Sequence, residues 1–199
     1  MPLLALADTT ITGHLGSAAC IGAIALGGMV FNMAYWLFGF LRMGTSGLTA
    51  QAHGTGNRTQ ALHVLYRSLI VAWGVALLLI AAQRPIFDAA FNFVTATHEV
   101  EQLTATYYHI IIWGAPAVLG LYSFAGWFLG MQNAKAPMVI AIGQNIINIV
   151  ASTVLVFGFA QGMAGVATGT LLAQYAGLFA AIIIWQKQYG KHQASAIKW

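Results

Sequence analysis

Charged residues are scarce in this sequence. Lysine, arginine, aspartate and glutamate together make up 6% of the 199 residues, whereas a soluble globular domain carries about 25%. Hydrophobic residues make up 59% of the chain. So little charge and so much apolar surface exclude an ordinary soluble domain and indicate a membrane protein.

Other features are missing as well. Cys20 is the single cysteine, which excludes an intramolecular disulfide, and we interpret it as a small apolar helix residue. No glycine-rich loop ends in Lys-Ser or Lys-Thr, so any transport by this chain would be driven by an ion gradient rather than by ATP. The net charge of +4 comes from scattered basic residues and does not indicate a nucleic-acid partner. His53 has no partner at metal-ligand spacing, and we expect neither a metal nor another cofactor.

Long apolar runs dominate what is present. A helix that crosses a bilayer needs about 20 mostly apolar residues. Five runs reach that length and a shorter one precedes them, so we predict an all-α bundle of six helices, forming one domain over residues 1–199. The predicted helices cover residues 1–13, 18–48, 61–83, 104–131, 137–159 and 163–186. The first is too short to span a bilayer and lacks the features of a signal peptide, and we interpret it as the second half of a spanning helix.

Basic residues indicate how the bundle is oriented. Seven of the eight lysines and arginines fall on alternate connections or at neighbouring helix ends, and the side that they share is expected to face the cytoplasm by the positive-inside rule. Only Arg84 lies on the other side, in a long loop with Asp88, Glu99 and Glu101. The seven are Arg42, Arg58, Arg67, Lys135, Lys187, Lys191 and Lys198.

One acid lies inside an apolar run. Asp8 is the only charged residue of "PLLALADTTITGHLGS", and a charge deep in a bilayer costs on the order of 3 kcal/mol or more. Two interpretations are open. Asp8 is either a solvated residue near a helix end, or a carboxylate that faces a water-filled cavity and binds and releases a proton.

Helix five carries a polar stripe. Asn145, Asn148 and Ser152 recur at spacings of three and four residues and therefore share one face. Such a stripe either forms hydrogen bonds with neighbouring helices or lines a cavity. On helix six, Thr170 and Gln174 are candidates to point toward the same interior.

Small residues and a proline predict local geometry. Gly165, Gly169, Ala173 and Gly177 follow one another at four-residue steps, which predicts a seam where another helix approaches closely. Pro116 interrupts a backbone hydrogen bond within helix four and predicts a kink there.

Five segments, taken in order and spacing, resemble the N-terminal half of the multidrug and toxic compound extrusion (MATE) transporters, and most closely their DinF-like branch. The segments are "PLLALADTTITGHLGS", "LFGFLRMGTSGLTAQAHGTGN", "GMQNAKAP", "QNIINIVAST" and "GVATGTLLAQYAG". The resemblance implies a twelve-helix secondary antiporter of the inner (plasma) membrane, with two six-helix lobes facing a central cavity. It also implies export of amphipathic or cationic organic compounds against H⁺ or Na⁺, with the lipid bilayer and a C-terminal lobe as partners.

The resemblance also implies a cation-coupling site. Asp8 occupies the position of an aspartate in the first helix that is central to coupling in the family, and Asn148 and Thr170 match two further positions of that site. Ser152 stands where family members often have a second aspartate. Because serine takes no proton, this departure favours H⁺ over Na⁺ as the coupling ion, or it indicates impaired coupling.

The chain is short for such a transporter. It ends where the family has a connection to six further helices, and the front lacks the first half of helix one, so we interpret it as a fragment rather than as a natural half-size protein. Two other functions are open: a non-transporting six-helix module that assembles with a partner lobe, and a flippase for a lipid-linked substrate. An intramembrane enzyme is not expected, because a lone aspartate and scattered histidines form no catalytic group.

Overall fold

The computed structural model describes residues 18–92 and 97–190, and these ranges are helical apart from short turns. We number the α-helices in chain order. They are α1 (Ala18–Leu37), α2 (Gly39–Gly54), α3 (Arg58–Ala81), α4 (Gln83–Asn92), α5 (His98–Ile111), α6 (Ala115–Gly130), α7 (Lys135–Thr153) and α8 (Gly162–Tyr189). A 3₁₀ turn (Ile112–Gly114) joins α5 to α6, and a π-helical turn (Val154–Gly158) follows α7.

Five helical stretches are long and apolar enough to cross a membrane. They are Ala19–Gly54, Arg58–Ala81, His98–Gly130, Lys135–Gly158 and Gly162–Tyr189. These stretches correspond to the five long helices predicted from the sequence, so the all-α membrane bundle is confirmed. The short first helix predicted at residues 1–13 lies outside the described residues.

The prediction of a long loop between the second and third long helices was wrong in part. Residues Gln83–Asn92 form the amphipathic helix α4, in which Phe87 stacks on Phe91 with ring centroids 4.4 Å apart and also contacts Tyr108 of α5. The following span begins at His98 rather than at residue 104, since Glu99 and Glu101 occupy its first turn. Acidic side chains are favourable at that end of a helix, although they lower the hydropathy from which the boundary was predicted.

Near Pro116, where the sequence predicts a kink, the structure has a short interruption of the α-helix. The 3₁₀ turn Ile112–Gly114 immediately precedes α6, and Pro116 lies in the first turn of α6. A proline costs little there, because a backbone N–H at the start of a helix has no intrahelical partner. The third described span therefore consists of two helical segments.

Helix α6 forms the centre of the bundle. Its span is mostly covered by other helices, whereas the remaining four expose most of their surface. Two glycines allow α2 to approach it. A Cβ on Gly126 would collide with the backbone oxygen of Arg42, and a Cβ on Gly130 would lie 2.6 Å from the Thr49 Cβ. Only glycine fits at such close contacts between backbones.

Candidate functional site

A cleft of about 1110 Å³ lies between α2, α6 and α7, together with the end of α1. Aromatic side chains form much of its wall: Tyr35, Trp36, Phe40, Tyr122 and Phe124. This volume lies slightly above the roughly 300–1,000 Å³ that is usual for pockets that bind drug-sized molecules, so the cleft has room for such a molecule.

A few polar groups interrupt the apolar wall. Among the described residues that line the cleft, Arg42 alone is charged. Gln144 and Asn145, both on α7, also line the cleft. Asn145, which the sequence suggested as a possible cavity-lining residue, is one of the residues that line this cleft. Its side-chain amide donates a hydrogen bond to the backbone oxygen of Ala141, 2.8 Å away, one turn earlier in the same helix.

Asn148 and Thr170 meet in the interface between α7 and α8. The Asn148 Nδ2 donates a hydrogen bond to the Thr170 Oγ1 at 3.0 Å, and the Thr170 hydroxyl donates to the backbone oxygen of Val166 at 3.0 Å. Asn148 is 0% exposed and Thr170 is 6% exposed. The structure thus joins the two residues that the resemblance assigned to one site, although they are 22 positions apart in the sequence.

Ser152 lies one turn after Asn148 on the same face of α7. It is fully buried against Gly169 of α8, where a Cβ would lie only 2.7 Å from the Ser152 backbone nitrogen. Within residues 18–92 and 97–190, the Ser152 Oγ has no hydrogen-bond partner. A neutral hydroxyl therefore takes the place that the family pattern gives to a second carboxylate.

Gln174 lies one helical turn further along α8 than Thr170. Its side-chain oxygen packs against Gly114 in the 3₁₀ turn, and it is not among the described residues of the cleft wall. The neighbouring Tyr175 donates a hydrogen bond from its hydroxyl to the backbone oxygen of Trp113 at 2.8 Å. Both side chains attach α8 to the break between α5 and α6.

Gln144 is a functional candidate that the sequence analysis missed. It is buried, lines the cleft, and its Nε2 donates a long hydrogen bond of 3.5 Å to the backbone oxygen of Ala173 in α8. Gln144, Asn148 and Ser152 are four residues apart and form the buried polar stripe of α7, while Asn145 faces the cleft. The strict four-residue spacing was visible in the sequence and identifies this stripe.

The predicted small-residue seam on α8 is confirmed, and α7 occupies it. Gly165 packs against the backbone of Leu155, Gly169 against Ser152, and Gly177 against the side chain of Gln144. The seam is therefore an internal packing surface of the lobe and not a free surface for a partner protein. This result removes one of the reasons to consider a separate assembly module.

A chain of hydroxyl groups links three other helices. Thr45 of α2 and Ser68 of α3 share a hydrogen bond of 2.6 Å, and the Ser68 Oγ donates to the Ser123 Oγ of α6 at 2.7 Å. The sequence gives no sign of this network, because its three members belong to different helices and show no local pattern. It holds α2 and α3 against the central helix α6.

Carboxylates are absent from the interior of the described bundle. Within residues 18–92 and 97–190, the acids are Asp88, Glu99 and Glu101, all exposed on α4 or in the first turn of α5. No group of three or more His, Cys, Asp or Glu side chains in these ranges has metal-site geometry. Asp8 lies outside the described residues.

A comparison with known protein families decides the class of this chain. The family model described as MatE matches residues 1–154. The chain belongs to the MATE family. The fold is therefore that of a MATE lobe, and the chain is a multi-pass membrane protein.

Curated relatives of this MATE chain are about twice as long. It is 36% identical over 187 residues to the DNA damage-inducible protein F of Escherichia coli, covering 94% of this chain and 41% of the relative. It is 26% identical over 194 residues to a probable multidrug resistance protein, NorM, of Thermotoga maritima, again covering 94% and 41%. The chain thus spans about two-fifths of the length of these relatives.

A solved structure shares the fold. An inward-facing conformation of a multidrug resistance MATE family transporter of the MOP superfamily superimposes with a TM-score of 0.85 at 24% identity, covering 92% of this chain and 41% of that one. The match extends over the N-terminal lobe of the transporter. The all-α lobe expected from the sequence is therefore confirmed.

Proposed function

We propose that this chain forms the N-terminal lobe of a secondary active antiporter of the inner membrane, which exports amphipathic or cationic organic compounds in exchange for protons. The single observation that carries the proposal is the buried hydrogen bond between Asn148 and Thr170, one helical turn along α7 from Gln144 of the aromatic cleft, in a chain that belongs to the MATE family. A C-terminal lobe is the partner that completes the central cavity.

The cleft supports the choice of cargo. Its aromatic walls offer apolar surface and π faces, which attract both hydrophobic groups and organic cations. Arg42 limits the part of the cleft in which a cationic group is stable, because like charges repel. A cationic cargo is therefore expected to place its charge at the aromatic residues and away from Arg42.

The polar stripe supports a proton as the coupling ion. We assign the coupling carboxylate to Asp8 and the positions beside it to Asn148 and Thr170. Ser152 contributes a neutral hydroxyl to this interface, so Asp8 is the one carboxylate proposed for the site. A single carboxylate suffices to bind a proton, whereas a metal cation needs several oxygen ligands arranged around it.

Coupling then follows from charge neutralisation. Protonation of Asp8 removes a charge from the interior, allows the first helix to repack, and weakens cargo binding in the cleft. Alternating access requires one lobe to rock against the other, so we expect no transport from this lobe alone. The same architecture would suit a lipid-linked cargo, and movement of an organic cation in the transport assay would favour the antiporter.

The experiment uses the full-length transporter that contains this lobe, reconstituted in liposomes. An amphipathic fluorescent cation is supplied outside, and either a pH gradient or a Na⁺ gradient is imposed. The proposal predicts cation movement with the pH gradient and none with the Na⁺ gradient. Movement driven by Na⁺ alone would overturn proton coupling, and no movement under either gradient would contradict the antiporter assignment.

A further inference from the structure

A second, smaller pocket lies at the end of the bundle that the positive-inside rule predicts to face the cytoplasm. It measures about 270 Å³, and the ends of α2, α3, α6 and α8 surround it. Its rim carries His53, Arg58 and Gln188, and its wall carries Trp127 and Tyr189. We propose that this pocket binds the phosphodiester headgroup of an anionic phospholipid from the cytoplasmic leaflet.

The volume of the pocket selects the class of ligand. At about 270 Å³ it is a quarter of the main cleft and falls below the roughly 300–1,000 Å³ of pockets that hold drug-sized molecules. The pocket therefore accommodates a small headgroup but not the cargo that fits the cleft. It is also separate from the cleft, since the two share no described lining residue.

The charge at this end of the bundle favours an anion. Arg58 provides a permanent positive charge at the rim of the pocket, which attracts an anionic group. Lys135 and Lys187 lie on the same side of the bundle, at the start of α7 and in the last turn of α8. Within residues 18–92 and 97–190, all acids lie at the opposite end, in α4 and α5.

The aromatic wall favours a lipid over a freely dissolved phosphate. Trp127 is buried, its Nε1 donates a hydrogen bond of 2.8 Å to the backbone oxygen of Ala61, and Tyr189 packs edge-on against it at 4.8 Å. Leu62 and Met131 add further apolar surface. A basic rim next to an apolar aromatic wall, at the ends of helices long enough to cross a membrane, fits a headgroup and the glycerol region to which its acyl chains are attached.

The position of the pocket explains why such a lipid would matter. Asn133, in the turn between α6 and α7, donates hydrogen bonds to the Gln188 side-chain oxygen at 2.8 Å and to the Tyr189 hydroxyl at 3.3 Å. The pocket is therefore formed where three cytoplasmic chain segments meet. A bound headgroup would hold the ends of α3 and α8 together.

Native mass spectrometry on the full chain tests this proposal. The protein is equilibrated with mixed vesicles of equal phosphatidylglycerol and phosphatidylcholine, transferred to detergent, and the retained lipid is counted. We compare wild type with Arg58→Gln and Arg58→Lys, and use Arg67→Gln as the matched control, because Arg67 is also an exposed arginine of α3 but does not line the pocket.

Wild type is expected to retain phosphatidylglycerol in preference to phosphatidylcholine. Arg58→Gln should weaken phosphatidylglycerol binding about tenfold, the usual cost of losing one charged hydrogen bond, while Arg58→Lys and Arg67→Gln retain most of it. Equal retention by wild type and Arg58→Gln would overturn the proposal. Displacement of the lipid by millimolar glycerol phosphate would overturn the assignment to lipid and indicate a soluble phosphate ester instead. Thermal unfolding of each variant in detergent reports whether it is folded.

Discussion

Asn148 of α7 and Thr170 of α8 are joined by a hydrogen bond of 3.0 Å inside the bundle. The two residues are brought together by the close approach of their helices, in which Gly169 leaves room for Ser152. The same packing that stabilises the lobe thus positions the polar groups that we assign to coupling. Stability and function are therefore expected to respond to the same substitutions in this interface.

Removing the Asn148 side chain should destabilise the lobe. Asn148→Ala eliminates the hydrogen bond to Thr170 and opens a cavity at a fully buried position, which should cost about 1–3 kcal/mol of unfolding free energy. Asn145→Ala is the matched control, since Asn145 is half-buried and bonds only within its own helix among the described residues. Thermal unfolding of both variants in detergent checks this prediction. Equal melting temperatures for the two variants would contradict it.

Two glycine substitutions should have opposite effects. Gly169→Ala places a Cβ within 2.7 Å of the Ser152 backbone nitrogen and should cost about 1–3 kcal/mol, because the backbone of α7 has to move. Gly143→Ala adds a Cβ where no atom lies within 4 Å and should stabilise α7 by about 0.5–1 kcal/mol. Unfolding midpoints of the two variants measure the difference. A stable Gly169→Ala protein would show that the seam is looser than described.

The hydroxyl network should contribute modestly to stability. Ser68→Ala removes both the bond to Thr45 and the bond to Ser123, and we expect a loss of about 1 kcal/mol, as for other hydrogen bonds between membrane helices. Thr106→Ala, at an exposed position that bonds to its own helix, should change stability by less than about 0.5 kcal/mol. A double-mutant cycle with Ser123→Ala then measures the coupling between Ser68 and Ser123. A coupling energy of zero would show that the network does not stabilise the bundle.

The sequence predicted the spans well because hydropathy and length determine them. The five long apolar runs all became membrane-length helices, and Pro116 produced a break because proline acts on its own backbone. The amphipathic helix α4 was missed, since ten residues with little net hydrophobicity look like a loop when their contact with α5 is unknown.

The candidate site was predictable only in part. The family resemblance pointed to Asn148 and Thr170, and the structure places them in contact. The sequence alone does not show which residues of α7 are buried against α8 and which line the cleft. The stripe read from the sequence therefore included Asn145 and omitted Gln144. The link between Thr45, Ser68 and Ser123 depends on three helices meeting at one level, which no local pattern predicts.

The most direct test of the account is proton-coupled efflux by the full-length transporter carrying Asp8→Asn. The substitution keeps the size of the side chain but removes its ability to bind and release a proton. Asp88→Asn, at an exposed position of α4, is the matched control. We predict that Asp8→Asn abolishes efflux of an amphipathic cation at normal expression, whereas Asp88→Asn leaves it unchanged. Undiminished efflux by Asp8→Asn would contradict the assignment of coupling to this residue.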